Sequence, residues 1–562
     1  MFPKWIKKTI ANKNLKKTFL PFFLFLSSFG LSFYKATAIH YGEDFRHSVA
    51  TLKFVRTFSP NALMAQSVNG MEFLALPFYL IFGFDLFALR LAQSLFIGLA
   101  IVFFYFFSKN LLSSYKAALL TTLLLIAFPY FILMKYQEYP FLAFFSAGLL
   151  YFCFAAFKKK KNSRDIFLFG FLWGLGTYHK IMVFAFGFAL LFSCLLIYRK
   201  EFTKKIIKLK KIIVLGASFV LGAAPLIIWN IIPDHRFQTV DKIFSGTTSL
   251  KSDLLVNFQE RLVHIKEIFI SSPGRYTGEI EFFGLLLLGI LFVTTLFLLI
   301  RKNKKGSVLI LTVLFFTISS TLGINVLISK HLYMIIPVLI AIIALGINEI
   351  AESIFKKMGE TVFVFFLALL VIMGSFNLFS ILQTNNEYDY FTASYRLQYL
   401  LRKDSVKNIY ALHPENYGSF WNSIYFTSGG KNIILASRVM EGENEVLVGT
   451  YDGNDVGCGG GDVVEKNFNE LIETSELKNN IYVDVVYIHD DKTNKKRRSV
   501  RVRTASELAE NDYEKIPLLS SVADKIYIIW AHESQNELIE DIKKIPDKEK
   551  TVSLFEDSIY DN

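Results

Sequence analysis

Two adjacent carboxylates, Glu43 and Asp44, stand in "TAIHYGEDFRHSVATLKF", with Arg46 and His47 close behind. Such a carboxylate can take a proton from a hydroxyl group. A further acid, Glu138, stands in "MKYQEYP" near Lys135. Groups suited to holding an anion recur at His179–Lys180 in "GLGTYHK", at Lys330–His331 in "SKHLY", and at Arg275 beside Tyr276 in "SSPGRYTGE". Arginine adds bidentate geometry toward phosphate, and lysine adds a point charge. These residues come from distant parts of the chain, so other elements must carry them to one place.

Those elements are apolar. The 562 residues are 53% hydrophobic, with 58 Phe and 26 Tyr and a mean hydropathy of +0.39. Long apolar runs near 18–36, 88–107, 117–134, 140–157, 166–179, 181–198, 211–231, 281–300, 307–328, 332–350 and 361–382 predict a polytopic α-helical membrane protein of about eleven spans. The two short runs within 166–198 also read as one re-entrant unit. Residues 1–382 carry 40 Lys/Arg and 17 Asp/Glu, a net +23, whereas 383–562 carry 21 and 31, a net −10. The basic excess sits in short loops, which excludes a nucleic-acid footprint. "KWIKKTIANKNLKK", "KKKKNSR", "RKEFTKKIIKLKK" and "RKNKK" all fall on one side of an eleven-span layout, the cytoplasmic side. The first run is span length without an obvious cleavage site, so it reads as retained. Cys153, Cys194 and Cys458 are far apart in sequence and suggest neither a disulfide framework nor a Cys-based zinc site.

The external side then receives the loops 37–87 and 232–280 and the tail from 383. Glu43, Asp44, Glu138, His179, Lys180, Arg275, Lys330 and His331 all project to that membrane depth. In the first loop, Phe45, Val49, Leu52 and Val55 have helical spacing, and "MEFLALPFYLIFGF" is broken by Pro77 and Gly83. Both read as helices lying in the membrane interface. Taking 72–87 as a span would invert every later loop. The domain division is 1–382 for the membrane part and 383–562 for an external α/β soluble domain. Its strands are read at "NIYAL", "NIILAS", "EVLVGTY", "IYVDVVYI" and "KIYIIWA", and its helices at "DVVEKNFNELIETSEL" and "QNELIEDIKKI". "GCGGGD" lacks the Lys-Ser/Thr of a P-loop and reads as a loop.

This layout resembles the GT-C superfamily of membrane glycosyltransferases, in the branch holding protein O-mannosyltransferases and the lipid A aminoarabinose transferase. The resemblance covers roughly residues 15–380. It rests on one span followed by a long external loop opening with an acidic pair, Glu43-Asp44 here where the family has Asp-Glu. It rests also on "FLALPFYLIFGFDLFALRL" with Gly83, Arg90 and Leu91, on "GLGTYHK", and on "SKHLYMIIPVLIAIIALG" with Pro337. The place of the family's Pro-rich motif is taken by "NGMEFL". The resemblance implies an inverting transfer of a sugar from a polyprenyl-phosphate lipid to an acceptor (a protein, a glycolipid or a polysaccharide) at the external membrane face, and the Lys- and Phe-rich usage, compact loops and absence of an organelle signal point to a bacterial inner membrane. Asp44 or Glu43 then serves as base. Lys180, Lys330, His331, Arg275, Glu138 and His179 serve the donor phosphate and substrate. Some relatives use a divalent cation, and Glu43, Asp44 and Glu138 suit Mg2+ or Mn2+, although no diagnostic ligand spacing is present.

Each residue also has a plainer reading. An acid pair in a loop is ordinarily solvated surface, Glu138 marks a polar turn, Lys180 and Lys330 are span-end anchors, and Arg90 holds the interface helix in place. Two other functions compete. A lipid or sugar transporter calls for mid-span ionisable groups and internal repeats, and neither is evident. A non-catalytic envelope assembly protein would carry the tail on a degenerate scaffold.

Overall fold

The computed structural model describes residues 13–34, 46–66, 69–84, 86–112, 114–132, 139–158, 163–199, 209–239, 254–270, 281–323 and 329–384, together with six strands between 409 and 504. In chain order the helices are α1 (Lys13–Tyr34), α2 (Arg46–Thr57), α3 (Leu76–Phe82), α4 (Leu86–Leu112), α5 (Tyr115–Ile126), α6 (Pro129–Ile132), α7 (Tyr139–Lys158) and α8 (Ser163–His179). They continue with α9 (Met182–Ile197), α10 (Leu209–Gly222), α11 (Ala224–Ile231), α12 (Leu254–Ile270), α13 (Glu281–Ile300), α14 (Lys304–Gly323), α15 (Ile336–Phe355) and α16 (Gly359–Thr384). A hairpin of β1 (Met64–Gln66) and β2 (Asn69–Gly70) lies between α2 and α3. The chain divides into two compact units. The first holds Met1–Ala36, Ser59–Ala75 and Arg90–Asn386, and the second holds Thr37–Phe58, Leu76–Leu89 and Glu387–Asn562.

Every apolar stretch read from the sequence carries a helix, but two are interrupted. The stretch 117–134 breaks after α5, where Pro129 opens α6 without a backbone N–H to extend the ladder. The stretch 211–231 bends by 65° between α10 and α11, with Pro225 in the first turn of α11. The pair at 166–198 is two helices, α8 and α9, joined by Lys180 and Ile181. Among the described residues, five helices are long and apolar enough to cross a membrane, and the bent α10–α11 pair makes a sixth. Shorter apolar helices run over Phe19–Phe33, Tyr115–Ile126 and Met182–Ile197. One helix was not foreseen: α12 lies within the loop read at 232–280.

The packing separates centre from rim. The apolar window of α7 is 89% buried within the protein, whereas those of α13 and α16 are only 28% buried and expose residues such as Phe292 and Phe376. Such exposed apolar faces suit lipid contact. Between α8 and α10 the backbones touch. A Cβ on Gly174 would lie 2.0 Å from the Phe219 carbonyl oxygen, and one on Gly222 would lie 2.3 Å from the Phe171 carbonyl oxygen. Small residues permit this approach, the usual means of joining helices in a bilayer. Gly174→Ala is therefore expected to force the helices apart and destabilise the protein by about 1–3 kcal/mol. Gly216→Ala on α10, where a Cβ meets nothing within 4 Å, is the matched control. Thermal melts in detergent should show a lower Tm for the first variant alone.

In the second unit, α2 and α3 bear out the helical spacing of the first loop. Val49 and Leu52 are buried on α2, and the Tyr79 hydroxyl of α3 is 3.1 Å from Ser48 Oγ. Seven residues make α3 too short to span. Leu80, Ile81 and Phe82 are exposed, and Gly83 ends the helix at φ +90°. The same unit holds a six-stranded mixed sheet in the order β6-β5-β4-β3-β7-β8. Its strands are β3 (Ile409–Leu412), β4 (Ile433–Arg438), β5 (Val446–Tyr451), β6 (Val463–Glu465), β7 (Ile481–Asp490) and β8 (Lys495–Thr504). β3 runs parallel to β4 and β7, and the other pairs are antiparallel. Four of the predicted strands are present. Residues 463–465, read as the start of a helix, pair instead with β5, as the β-branched Val463–Val464 favours. β8 was missed because its Lys and Arg residues mask the alternation. Such charge is usual on an edge strand. "KIYIIWA", the helix at 535–545, the rest of 466–477 and the Gly-rich loop lie outside the described residues.

Candidate active site

The "GLGTYHK" segment closes α8 and is held from several directions. Gly174 packs on α10 as above. A Cβ on Gly176 would lie 2.6 Å from Val183 Cγ1 and 3.0 Å from the Phe145 ring. The Tyr178 hydroxyl donates to the Leu63 carbonyl oxygen at 2.8 Å. The β1–β2 hairpin lies against the helix end so closely that a Cβ on Gly70 would be 2.6 Å from the Tyr178 carbonyl oxygen. Asn69 and Lys180 complete the join as an isolated antiparallel bridge. The Leu63 carbonyl also accepts from the Met71 N–H at 3.0 Å, so Tyr178→Phe removes one of two bonds and is expected to cost about 0.5–1.5 kcal/mol. A chemical or thermal melt reads that loss directly.

Lys180 is thereby fixed at the end of α8. It is buried, and its Nζ lies 5.0 Å above the Tyr139 ring at the start of α7. Tyr139 meets Tyr333 edge-on at 5.9 Å. Tyr333 stacks on Phe131 at 5.4 Å and donates its hydroxyl to the Phe131 carbonyl oxygen at 2.6 Å. Tyr333 belongs to the 3-10 turn Ser329–Ile335, which is also tied to α7 through Ser146 Oγ donating to the Met334 carbonyl oxygen at 2.6 Å. Three remote segments thus meet at Tyr139, at the start of α7: the end of α8 places an ammonium over its ring, and the turn before α15 packs Tyr333 against its edge. An ammonium over an aromatic ring is held in place by the negative face of the ring.

The other predicted residues divide. His179 is buried, its ring against Phe141 at 5.2 Å and Phe145 at 5.9 Å on α7. Lys330 and His331 belong by backbone to the same turn as Tyr333, and their side chains lie outside the described residues. Glu43, Asp44, Lys135, Glu138, Arg275 and Tyr276 also lie outside them. Among the described residues no three of His, Cys, Asp and Glu gather as metal ligands. The carboxylates proposed for Mg2+ or Mn2+ are not among those residues. Arg90 is buried in α4 and donates to Gln93, in keeping with a structural reading.

Two charged residues escaped the sequence reading. Glu72, which follows the hairpin, is fully buried. It had registered only as a departure from a Pro-rich motif. Arg261 on α12 is also fully buried, and α12 packs against the turn that carries Lys330, His331 and Tyr333. Burial pushes its guanidinium below the ordinary arginine value, with neighbouring Glu260 acting in the opposite direction. An i,i+3 pair, His264 Nδ1 and Glu267 Oε2 at 2.7 Å, follows it on the helix. The signal for Arg261 lay in an apolar periodicity across 254–270 that the polar residues of α12 concealed.

Buried helices, peripheral apolar helices and a charged aromatic cluster at the helix ends define a multi-pass membrane protein. Residues 70–229 match the family model described as dolichyl-phosphate-mannose-protein mannosyltransferase. The fold is similar to that of ArnT from Cupriavidus metallidurans bound to undecaprenyl phosphate, with a TM-score of 0.52 at 11% identity over 78% of this chain and 98% of that one. The apo form of the same ArnT aligns with a TM-score of 0.45 at 11% identity over 74% and 92%. No curated protein matches the sequence. The GT-C resemblance read from the sequence is thus borne out, in sequence over 70–229 and in fold over most of the chain.

Proposed function

We propose that this protein is an inverting glycosyltransferase that moves a sugar from a polyprenyl-phosphate donor to an acceptor at the external face of the bacterial inner membrane. The observation that carries this reading is Lys180, held over Tyr139 where three segments of a GT-C-type fold converge. The ArnT chain sharing that fold was crystallised with undecaprenyl phosphate. The positive-inside arrangement of the basic loops supports the external assignment of the site.

In this reading the bond between the anomeric carbon and the phosphate oxygen breaks as the acceptor oxygen attacks from the opposite face, so one displacement inverts the centre. Asp44 or Glu43 takes the acceptor proton. Lys180, Lys330, Arg275 and Arg261 supply positive charge for the departing phosphate. Glu138 and His331 flank the substrate, and His179 orients the helix end through its contacts with Phe141 and Phe145. If a Mg2+ or Mn2+ ion takes part, Glu43, Asp44 and Glu138 are the ligands of suitable hardness, and the ion would add positive charge beside the phosphate.

The test is a melt of the purified protein in lipid nanodiscs with undecaprenyl phosphate and, in parallel, with undecaprenol. A ligand at 100 times its Kd stabilises by about 2.7 kcal/mol. The expected result is a Tm rise with the phosphate and none with the alcohol, abolished in Lys180→Met. Equal shifts for the two lipids would remove phosphate recognition from the reading.

A further inference from the structure

Two of the three cysteines meet inside the membrane part. Cys153 is on α7 and Cys194 on α9, 41 residues apart in sequence, and their Sγ atoms are 3.7 Å apart. Both side chains are buried, at 3% and 1% exposure. Cys153 is the fifteenth residue of α7 and Cys194 the thirteenth of α9. At 1.5 Å per residue both lie roughly 20 Å from the helix starts that hold Tyr139 and follow Lys180. The pair is therefore remote from the candidate active site and plays no part in the chemistry proposed there.

We infer that Cys153 and Cys194 form a dithiol modification site, converted to a disulfide by a small uncharged hydroperoxide that permeates the membrane. The sulfur separation must close from 3.7 Å to about 2.05 Å. First, one thiol is oxidised: its sulfur takes an oxygen from the hydroperoxide, giving a sulfenic acid and one molecule of water or alcohol. The second thiol then attacks the sulfenic sulfur. An S–S bond forms, the S–O bond breaks, and the thiol proton leaves with the hydroxyl as water. Two electrons pass from the thiols to the O–O bond, and no other co-reactant is needed.

The geometry favours the second step over the first. Both thiols are buried away from solvent, so initial oxidation is slow. Once a sulfenic acid forms, its partner is already in contact, and proximity makes closure effectively unimolecular. Further oxidation to sulfinic acid is thereby outrun. The product ties α7 to α9 and closes a loop around α8.

The test exposes membranes containing the full-length protein to hydrogen peroxide and then denatures them in detergent with a maleimide polymer that counts thiols. Wild type should fall from three labelled thiols to one, Cys458, and peptide mass spectrometry should recover Cys153 linked to Cys194. In Cys153→Ser, Cys194 should acquire two oxygens rather than a partner, which distinguishes a resolving contact from general protection by burial. The inference is overturned if wild type keeps all three thiols at doses that oxidise Cys194 in Cys153→Ser. It is equally overturned if wild-type Cys194 becomes sulfinic acid without the linked peptide, or if Cys194 in Cys153→Ser stays a thiol while wild type also stays unlinked.

Discussion

Lys180→Met is expected to lower sugar transfer by about 100- to 1,000-fold, the usual loss when one pre-positioned charge or donor is removed from a developing anion. Methionine preserves the buried aliphatic stem over Tyr139 and deletes the charge. The bridge to Asn69 is made by the backbone and survives the change, so the fold should persist. The loss of the ammonium–ring contact costs about 0.5–2 kcal/mol of stability, visible as a small Tm decrease. Lys180→Arg keeps the charge and should recover part of the activity. If transfer instead falls only in proportion to Tm, and arginine rescues nothing, Lys180 is a packing residue and the phosphate is held elsewhere.

The second large effect concerns the acid pair. Asp44→Asn and Glu43→Gln are to be compared with Asp234→Asn in the 3-10 turn Pro233–His235 that follows α11. One of the pair is expected to cost about 100- to 10,000-fold in turnover, the range for a general base, while the control retains wild-type rates. The base must be ionised to accept the acceptor proton, so the remaining rate in wild type should rise with pH through the carboxylate range. The variant that lost the base should lose that slope. The segment that follows the pair is firmly anchored: His47 and Ser48 are buried at the start of α2, and Tyr79 reaches Ser48. Either neutral amide is nearly isosteric with its acid, so unchanged Tm values with unchanged transfer in both variants would assign the pair to surface charge and move Glu138 forward.

The sequence and the tertiary structure settled different things about this protein. Hydrophobic runs alone located every membrane-part helix from α4 to α11 and from α13 to α16, because a long apolar run in a bilayer must satisfy its polar backbone within the segment itself, as a helix does. Helical spacing found α2, and Pro77 with Gly83 marked the bounds of α3. The "GLGTYHK" segment stood out by resemblance, yet nothing in its letters says that Gly174 meets Phe219 or that Tyr178 reaches Leu63. The convergence of Tyr139, Lys180 and Tyr333, from positions 41 and 153 residues apart along the chain, is a product of packing. So is the contact of Cys153 with Cys194, which sequence separation argued against. His179 and Lys180 are neighbours with the same apparent promise. The helix turn sends one ring among phenylalanines and the other side chain over a tyrosine, because successive residues on a helix point about 100° apart. Local periodicity is written residue by residue, whereas which remote side chains share a place depends on how close two backbones can come. At this site glycines 70, 174 and 176 make that choice.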